Sequence, residues 1–317
     1  YWQTPRLHRI SRHRYNSMPV DRPGHYLYVR DRKSGDFWSP SWQPCAKKLD
    51  KYECRHGLNY TRITGKRGGV EVGVLTFVPE NDDLEIWRVT ATNTTKEKKT
   101  LDFFPYVELC IGNALNDLVN QPNDQHFNDV FIDDKTQILY ASKRYWNTFG
   151  SATVEQSNVS YDRFYFFASD LKVKAFDGSK AEFIGRWRSE ENPEAVEKGR
   201  CGNTAITAGD AVAALQLPLD LAPGQTKEFV VMLGLVPRET YKRDAAKLVA
   251  KYRDLKNADA AYQKLVDDWR DYVSCVKVST PDKNLNTMIN VWNQWQTACT
   301  FRFSRDAGYY QIGRAHV

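Results

Sequence analysis

Residues 21–63 read DRPGHYLYVRDRKSGDFWSPSWQPCAKKLDKYECRHGLNYTRI. Within them, His25-Tyr26-Leu27-Tyr28-Val29-Arg30 sets Tyr26, Tyr28 and Arg30 against Leu27 and Val29. Aromatic and β-branched residues at a period of two predict a half-buried β-strand, because successive side chains point to opposite faces. Asp31 to Asp36 supplies a turn with Ser34-Gly35 at its tip, and Phe37-Trp38 opens a second strand. Ser39-Pro40 and Gln43-Pro44 end that strand, since proline cannot donate to a ladder. A third segment, Tyr52 to Ile63, carries Glu53-Cys54-Arg55-His56-Gly57 and runs into Tyr60-Thr61-Arg62-Ile63. The stretch therefore predicts a meander of aromatic antiparallel strands. In a strand Glu53 and Arg55 share one face while His56 points to the other, which argues against a local acid–base couple and for an Arg55–carboxylate pair. Gly57 then permits a bulge or a close approach.

Working outward, Val70 to Val78 and Leu84 to Thr90 alternate as strands, Asn93 to Thr100 is a lysine-rich turn, and Leu101 to Leu109 is a further strand. Gln137 to Arg144, Arg163 to Ser169 and Glu228 to Leu235 continue the pattern, the last entered through the Leu221 to Gln225 turn. Strands recurring between turn signals predict a mainly β chain built as a large antiparallel β-sandwich. No convincing helical period interrupts residues 64–235, apart from a possible turn at Ala114 to Val119. Asn113 to Asp134, rich in Asn, Asp and Gln, reads as a long functional or partner-facing loop.

At Pro237 the period changes. Tyr241, Ala245, Leu248, Val249, Tyr252 and Leu255 mark an amphipathic helix that Asn257 breaks, and Tyr262 to Val273 mark a second. A short strand, Cys275 to Val278, leads to Thr280-Pro281-Asp282, with Thr280 as cap and Pro281 at the first helical position. The third helix shows Leu285, Met288, Ile289, Trp292, Trp295 and Cys299 along one face, which needs a partner surface.

The 317 residues suffice for one large or two ordinary domains, and no membrane-length apolar run is present. The net charge is +6, with Arg6, His8, Arg9, Arg12, His13 and Arg14 clustered early. Leu7, Ile10 and Tyr15 interleave that cluster and no binding motif accompanies it, so a solvated face is favoured over a nucleic-acid arm. Six cysteines without CxxC spacing predict reduced cytoplasmic thiols, and Cys54 with His56 lacks the second pair a zinc site needs. Asn59, Asn93 and Asn158 head glycosylation sequons that matter only in a secreted protein. Nine Trp and seventeen Tyr suit sugar rings as well as sandwich cores. Asp82-Asp83 and Asp133-Asp134 lie in turn-like sequence, where solvation is favoured over paired-carboxylate catalysis.

Taken in order, DRPGHYLYVRD, WSPSWQP and ECRHGLNYTRI resemble the amino-terminal domain of glycoside hydrolase family 94, formerly glycosyltransferase family 36, over residues 1 to about 311. The family comprises cellobiose, cellodextrin and chitobiose phosphorylases and related β-glucan enzymes. The resemblance implies a β-supersandwich at 1–236, a helical linker at 237–278 and, at 279–311, the start of an (α/α)6 barrel cut short. It further implies inverting phosphorolysis: a barrel aspartate acts as general acid while inorganic phosphate, as co-substrate, attacks the anomeric carbon of a β-linked gluco-oligosaccharide to give α-glucose 1-phosphate. No cofactor, metal, nucleic acid or membrane enters that chemistry, and a cytoplasmic homodimer is implied.

Residues 312–317, Ile-Gly-Arg-Ala-His-Val, match what a common sequencing adaptor encodes in one frame and are expected to be non-biological. The general acid and phosphate-binding groups are then expected beyond the cut, and the chain itself to be catalytically silent. The remaining substrate-proximal candidates are Arg144, Tyr145 and Trp146 in a basic-aromatic loop, Arg55 and His56 near the barrel, and Arg305 after the third helix. For the loop the resemblance implies a place at the partner subunit's active-site mouth, against an ordinary sandwich loop as the alternative. A free-standing carbohydrate-binding or assembly module is the alternative to an enzyme portion, and a basic nucleic-acid binder is a third reading.

Overall fold

A computed structural model describes residues 10–12, 24–112, 117, 125–144 and 160–303, the last three by backbone alone. Thirteen strands are described: β1 His25–Asp31, β2 Phe37–Trp38, β3 Lys51–Gly57, β4 Tyr60–Arg67, β5 Val70–Phe77, β6 Leu84–Asn93, β7 Lys99–Glu108, β8 Asn128–Asp133, β9 Ile138–Lys143, β10 Arg163–Ser169, β11 Ala175–Ser179, β12 Ala211–Leu221 and β13 Thr226–Pro237. They form a five-stranded sheet in the order β11-β12-β7-β1-β2 and an eight-stranded sheet in the order β3-β4-β5-β6-β13-β10-β9-β8. Neighbouring strands pair antiparallel throughout, as the alternating sequence predicts.

Period two decides where each side chain goes. In β13, Phe229, Val231 and Leu233 enter the core between the sheets, while Val230, Met232 and Val236 face the opposite side. The central core takes Leu27, Val29 and Phe103 from one sheet and Trp87, Val89 and Phe167 from the other. At roughly 2 kcal/mol for each large apolar side chain removed from water, this layer dominates the stability of the sandwich.

Residues 21–63 do not form a single meander. β1 and β2 belong to the five-stranded sheet, whereas β3 and β4 pair at the far edge of the eight-stranded one. The intervening residues cross from sheet to sheet over β4, and Gly65 is where they touch. A Cβ on Gly65 would stand 2.6 Å from the Pro40 carbonyl oxygen and 2.8 Å from its Cα. Backbone atoms cannot swing aside, so Gly65→Ala is expected to destabilise the protein by about 2–3 kcal/mol in urea unfolding. The same substitution at Gly73, where the nearest atom is 3.6 Å away, serves as the mild comparison.

Nor is β1 half-buried. Tyr26 and Tyr28 are 5% and 0% exposed, because a further layer covers the outer face of the five-stranded sheet. Two short helices, Lys180–Ile184 and Glu194–Lys198, place Phe183, Ile184, Ala195 and Val196 over Tyr26, Tyr28, Phe104 and Tyr106. Residues 64–235 therefore do contain helices, contrary to the sequence expectation. The loop expected up to Asp134 ends in a 3-10 turn, Gln125–Phe127, and in β8. The helical turn expected at Ala114 to Val119 lies outside the described residues but for Asp117.

Beyond β13, helices Tyr241–Arg253 and Leu255–Val273 cover the outer face of the eight-stranded sheet, burying Ala245, Val249, Tyr252, Leu265 and Trp269. The break falls at Asp254, not Asn257: the Asp254 carboxylate accepts from Lys256 N at 3.0 Å and caps the second helix. Residues 275–278 form no strand, and Asp282 rather than Thr280 caps the third helix, accepting from Asn284 N at 2.8 Å. Capping at Asp282 leaves Pro281 outside the helix. The third helix runs as Lys283–Thr287, a π turn at Met288–Asn293, and Gln294–Phe303. Its apolar face is divided: Ala298 is buried, whereas Leu285 and Met288 are 44% and 48% exposed.

One clamp holds the first linker helix to the turn between β5 and β6. The Asp82 carboxylate accepts from Lys251 Nζ and from the Tyr252 hydroxyl, each at 2.6 Å. Burial by itself would raise this carboxyl; the bonds from Lys251 and Tyr252 outweigh it and hold it below its ordinary value. A depressed carboxyl contributes stability above its unfolded pKa of about 4 and loses it as pH falls through the folded value. Asp82→Asn is expected to cost about 1 kcal/mol at pH 7, after allowance for solvent screening, and less at pH 3. Thermal unfolding of both proteins at the two pH values checks this.

Candidate functional site

The β3–β4 hairpin carries two of the candidate residues. Arg55 donates to Glu53 Oε1 from Nε at 2.9 Å and from Nη2 at 2.7 Å, the pairing expected from their shared face. His56 lies on the opposite face, where Nδ1 meets Thr61 Oγ1 at 3.0 Å and Nε2 lies 3.4 Å from Cys54 Sγ. Arg55 and His56 are thus not brought together. Gly57 allows the close approach expected of it, since a Cβ there would meet the Tyr60 ring at 2.0 Å. At the hairpin tip, Tyr60 packs edge-on against Tyr262 at 5.2 Å, and Trp295 Nε1 donates to Asn59 Oδ1 at 3.3 Å. The tip is therefore a seam between the sandwich and the helices that follow it.

Arg144 closes β9 at another edge. Its guanidinium donates to the Thr207 carbonyl, while its own backbone N–H donates to Phe127 O at 2.9 Å. Burial raises the nearby Asp129 carboxyl, and the charges of Arg144 and Arg238 oppose that rise. Arg238 donates to Ser142 Oγ at 2.7 Å and to the Lys143 carbonyl at 3.0 Å, a role the sequence did not signal. Tyr145, Trp146 and Arg305 lie outside the described residues.

The acidic pairs behave as turns and clamps. Asp133 Oδ1 accepts from Lys135 N and Thr136 N at 3.0 and 3.1 Å, the signature of an Asx turn. An open groove of about 520 Å³ is lined by Phe131, Gln137, Lys174, Phe176 and Asn203, with Asp134 its one carboxylate. Among the described residues no three His, Cys, Asp or Glu side chains are grouped to hold a metal ion, and no helix is long and apolar enough to cross a membrane.

Two buried charge clusters escaped sequence reasoning. Arg12 is not part of a solvated face: its Nε lies 3.0 Å from Asp117 Oδ1, and its Nη1 pairs with Asp210. On the outer face of the five-stranded sheet, Lys180 Nζ sits 2.8 Å from Glu108 Oε1 and 3.1 Å from Glu190 Oε1. Tyr106 donates to Glu108 at 3.2 Å, and Tyr28 donates to the Glu190 carbonyl at 2.8 Å. Arg12 meets Asp117 across 105 positions and Lys180 meets Glu108 across 72, so no local pattern announces either cluster.

Two stacked antiparallel sheets with helices over both outer faces define a β-supersandwich that passes into a helical region. The glycosyl hydrolase 94 supersandwich-domain model matches residues 1–255, and the glycosyl hydrolase 94 superfamily catalytic-domain model matches residues 268–317. The chain belongs to the glycosyl hydrolase 94 family. It is 33% identical over 315 residues to N,N'-diacetylchitobiose phosphorylase of Vibrio furnissii, covering 99% of this chain and 37% of that protein. Solabiose phosphorylase of Paenibacillus borealis is 26% identical over 284 residues, covering 89% of this chain and 35% of that protein. The chain thus spans little more than a third of the length of these relatives. Among solved structures, a bacterial glucoamylase complexed with acarbose aligns with 87% of this chain and 31% of its own, at 9% identity and a TM-score of 0.43.

Proposed function

We propose that the protein is the front portion of an inverting β-glycoside phosphorylase. Joined to its catalytic domain, it cleaves a β-linked disaccharide or short oligosaccharide with inorganic phosphate and releases an α-linked sugar 1-phosphate, which is α-glucose 1-phosphate when the substrate is a glucan. The similarity to N,N'-diacetylchitobiose phosphorylase carries this reading, because it runs without a change of partner from the sandwich into the helices.

In this reading the described residues position rather than react. The hairpin tip with Asn59 and Tyr60 anchors Gln294–Phe303, and Arg144, tied to backbone carbonyls, fixes the end of β9. The general acid belongs to the catalytic domain, and phosphate is a co-substrate with no cofactor. The cytoplasm suits six cysteines of which none forms a disulfide, and a homodimer is the assembly the reading favours.

The test is to supply the protein, continued through its catalytic domain, with N,N'-diacetylchitobiose or cellobiose and phosphate. Release of sugar 1-phosphate in step with phosphate consumption is expected. Free sugar formed without phosphate uptake overturns phosphorolysis. Saccharide binding with no turnover favours a carbohydrate-binding module instead.

A further inference from the structure

β3 is the edge strand of the eight-stranded sheet, and that sheet is wider than its five-stranded partner. Tyr52, Cys54 and His56 share the face that continues, through Ile63 and Val74, into the central core. At β3, however, the smaller sheet no longer covers this face. Tyr52 is 51% exposed, His56 is exposed and Cys54 is partly so.

The overhang holds a thiol, an imidazole and a hydroxyl in a row. Cys54 Sγ lies 3.4 Å from His56 Nε2, and His56 Nδ1 lies 3.0 Å from Thr61 Oγ1. Antiparallel register explains the row: His56 pairs directly with Thr61, and Cys54 sits two residues upstream on the same face. A nucleophile within reach of a base, with the base oriented by a third group, is the arrangement that activates a side chain toward electrophiles. Exposure sets Cys54 apart from the buried cysteines. Cys45, Cys110 and Cys201 are buried, and Cys275, though exposed, has only the Asp271 carbonyl at 3.7 Å.

We propose that Cys54 is a site of reversible S-thiolation, a nucleophilic thiol activated by His56 that takes low-molecular-weight disulfides. His56 Nε2 accepts the thiol proton, and the Cys54 sulfur attacks one sulfur of the disulfide R–S–S–R. A Cys54–S–S–R bond forms as the old S–S bond breaks. The departing thiolate takes the proton back from the imidazolium and leaves as R–SH. Nothing is consumed but the disulfide, and a second thiol reverses the step. Thr61 is a positioning residue, since its hydroxyl fixes the ring so that Nε2 faces the sulfur.

Oxidised glutathione and iodoacetamide are the probes, applied to the 317-residue chain with site occupancy read by peptide mass spectrometry. Cys275 serves as an exposed reference thiol within the same molecule. Cys54 is expected to react about tenfold faster than Cys275 with both reagents. His56→Gln should bring Cys54 down to the Cys275 rate while leaving Cys275 and the unfolding temperature unchanged, and Thr61→Val should give an intermediate rate. Equal rates at the two cysteines in the unmodified protein overturn the proposal. So does a Cys54 rate that survives His56→Gln.

Discussion

Lys180→Met is expected to destabilise the protein by about 3–5 kcal/mol at pH 7, because it removes a cation held between two buried carboxylates. Glu108 and Glu190 have side chains 10% and 8% exposed, and both contact Lys180 Nζ. Burial raises the Glu108 carboxyl, the negative charge of Glu190 adds to the rise, and Lys180 opposes it. Burial would raise Glu190 too, but Lys180 and hydrogen bonding bring it below its ordinary value. The signs follow from linkage. The raised Glu108 favours folding most at low pH and loses that contribution as pH rises from the ordinary glutamate value through its folded one. The depressed Glu190 does the reverse.

Without Lys180 both carboxyls rise, and both then resist folding at neutral pH. The stability gap between variant and parent should therefore be wide at pH 7 and narrower at pH 5, where each carboxyl takes up a proton more readily. Adding Glu108→Gln to Lys180→Met should recover a large part of the loss, since one buried negative charge disappears. A gap of the same size at both pH values, with no recovery in the double variant, would mean that Lys180 matters only through its packing.

Trp269→Ala should cost a similar amount, about 3–5 kcal/mol. Trp269 is 6% exposed on helix Leu255–Val273 and belongs to the cluster that joins Ile86, Phe166, Val230 and Met232 of the sheet to the helices. The indole leaves a cavity that a β-sheet and a packed helix cannot close by sliding. Trp292, on the third helix beside Trp295, provides the contrast, being only partly buried and absent from that core. Trp292→Ala should therefore shift urea unfolding far less. Equal losses from the two would show that the helical layer is not held to the sandwich through the Leu255–Val273 helix.

The strands were legible because runs rich in aromatic and β-branched residues recur between turn signals; the alternating Leu84–Asn93 and the continuously apolar Arg163–Ser169 both carry that composition. The sheet to which a strand belongs was not. Nothing local in Ser39 to Asp50 says that the chain leaves one sheet for the other, a fact carried by the contact of Pro40 with Gly65. The two short helices escaped because five residues are too few to show a helical period. Ser179 capping through Glu182 N, and Gly199 held at a φ of 71°, were nonetheless available signals. Arg12 and Lys180 escaped for another reason. The buried Arg12 and the half-buried Lys180 look like surface cations until Asp117 and Glu108, distant in the chain, are found beside them. Of the candidate site, the Glu53–Arg55 pairing was legible from strand alternation, whereas the Cys54–His56–Thr61 row required the hairpin register.

The proposed phosphorolysis needs the catalytic domain that this chain is proposed to position. Its most direct test sets residues 1–317 alone beside the same residues continued into a glycosyl hydrolase 94 catalytic domain. Both receive N,N'-diacetylchitobiose or cellobiose with phosphate, and sugar 1-phosphate is followed by phosphorus NMR. Signal from the continued protein and none from residues 1–317 is the predicted result. Phosphate-dependent sugar 1-phosphate from residues 1–317 alone would contradict it.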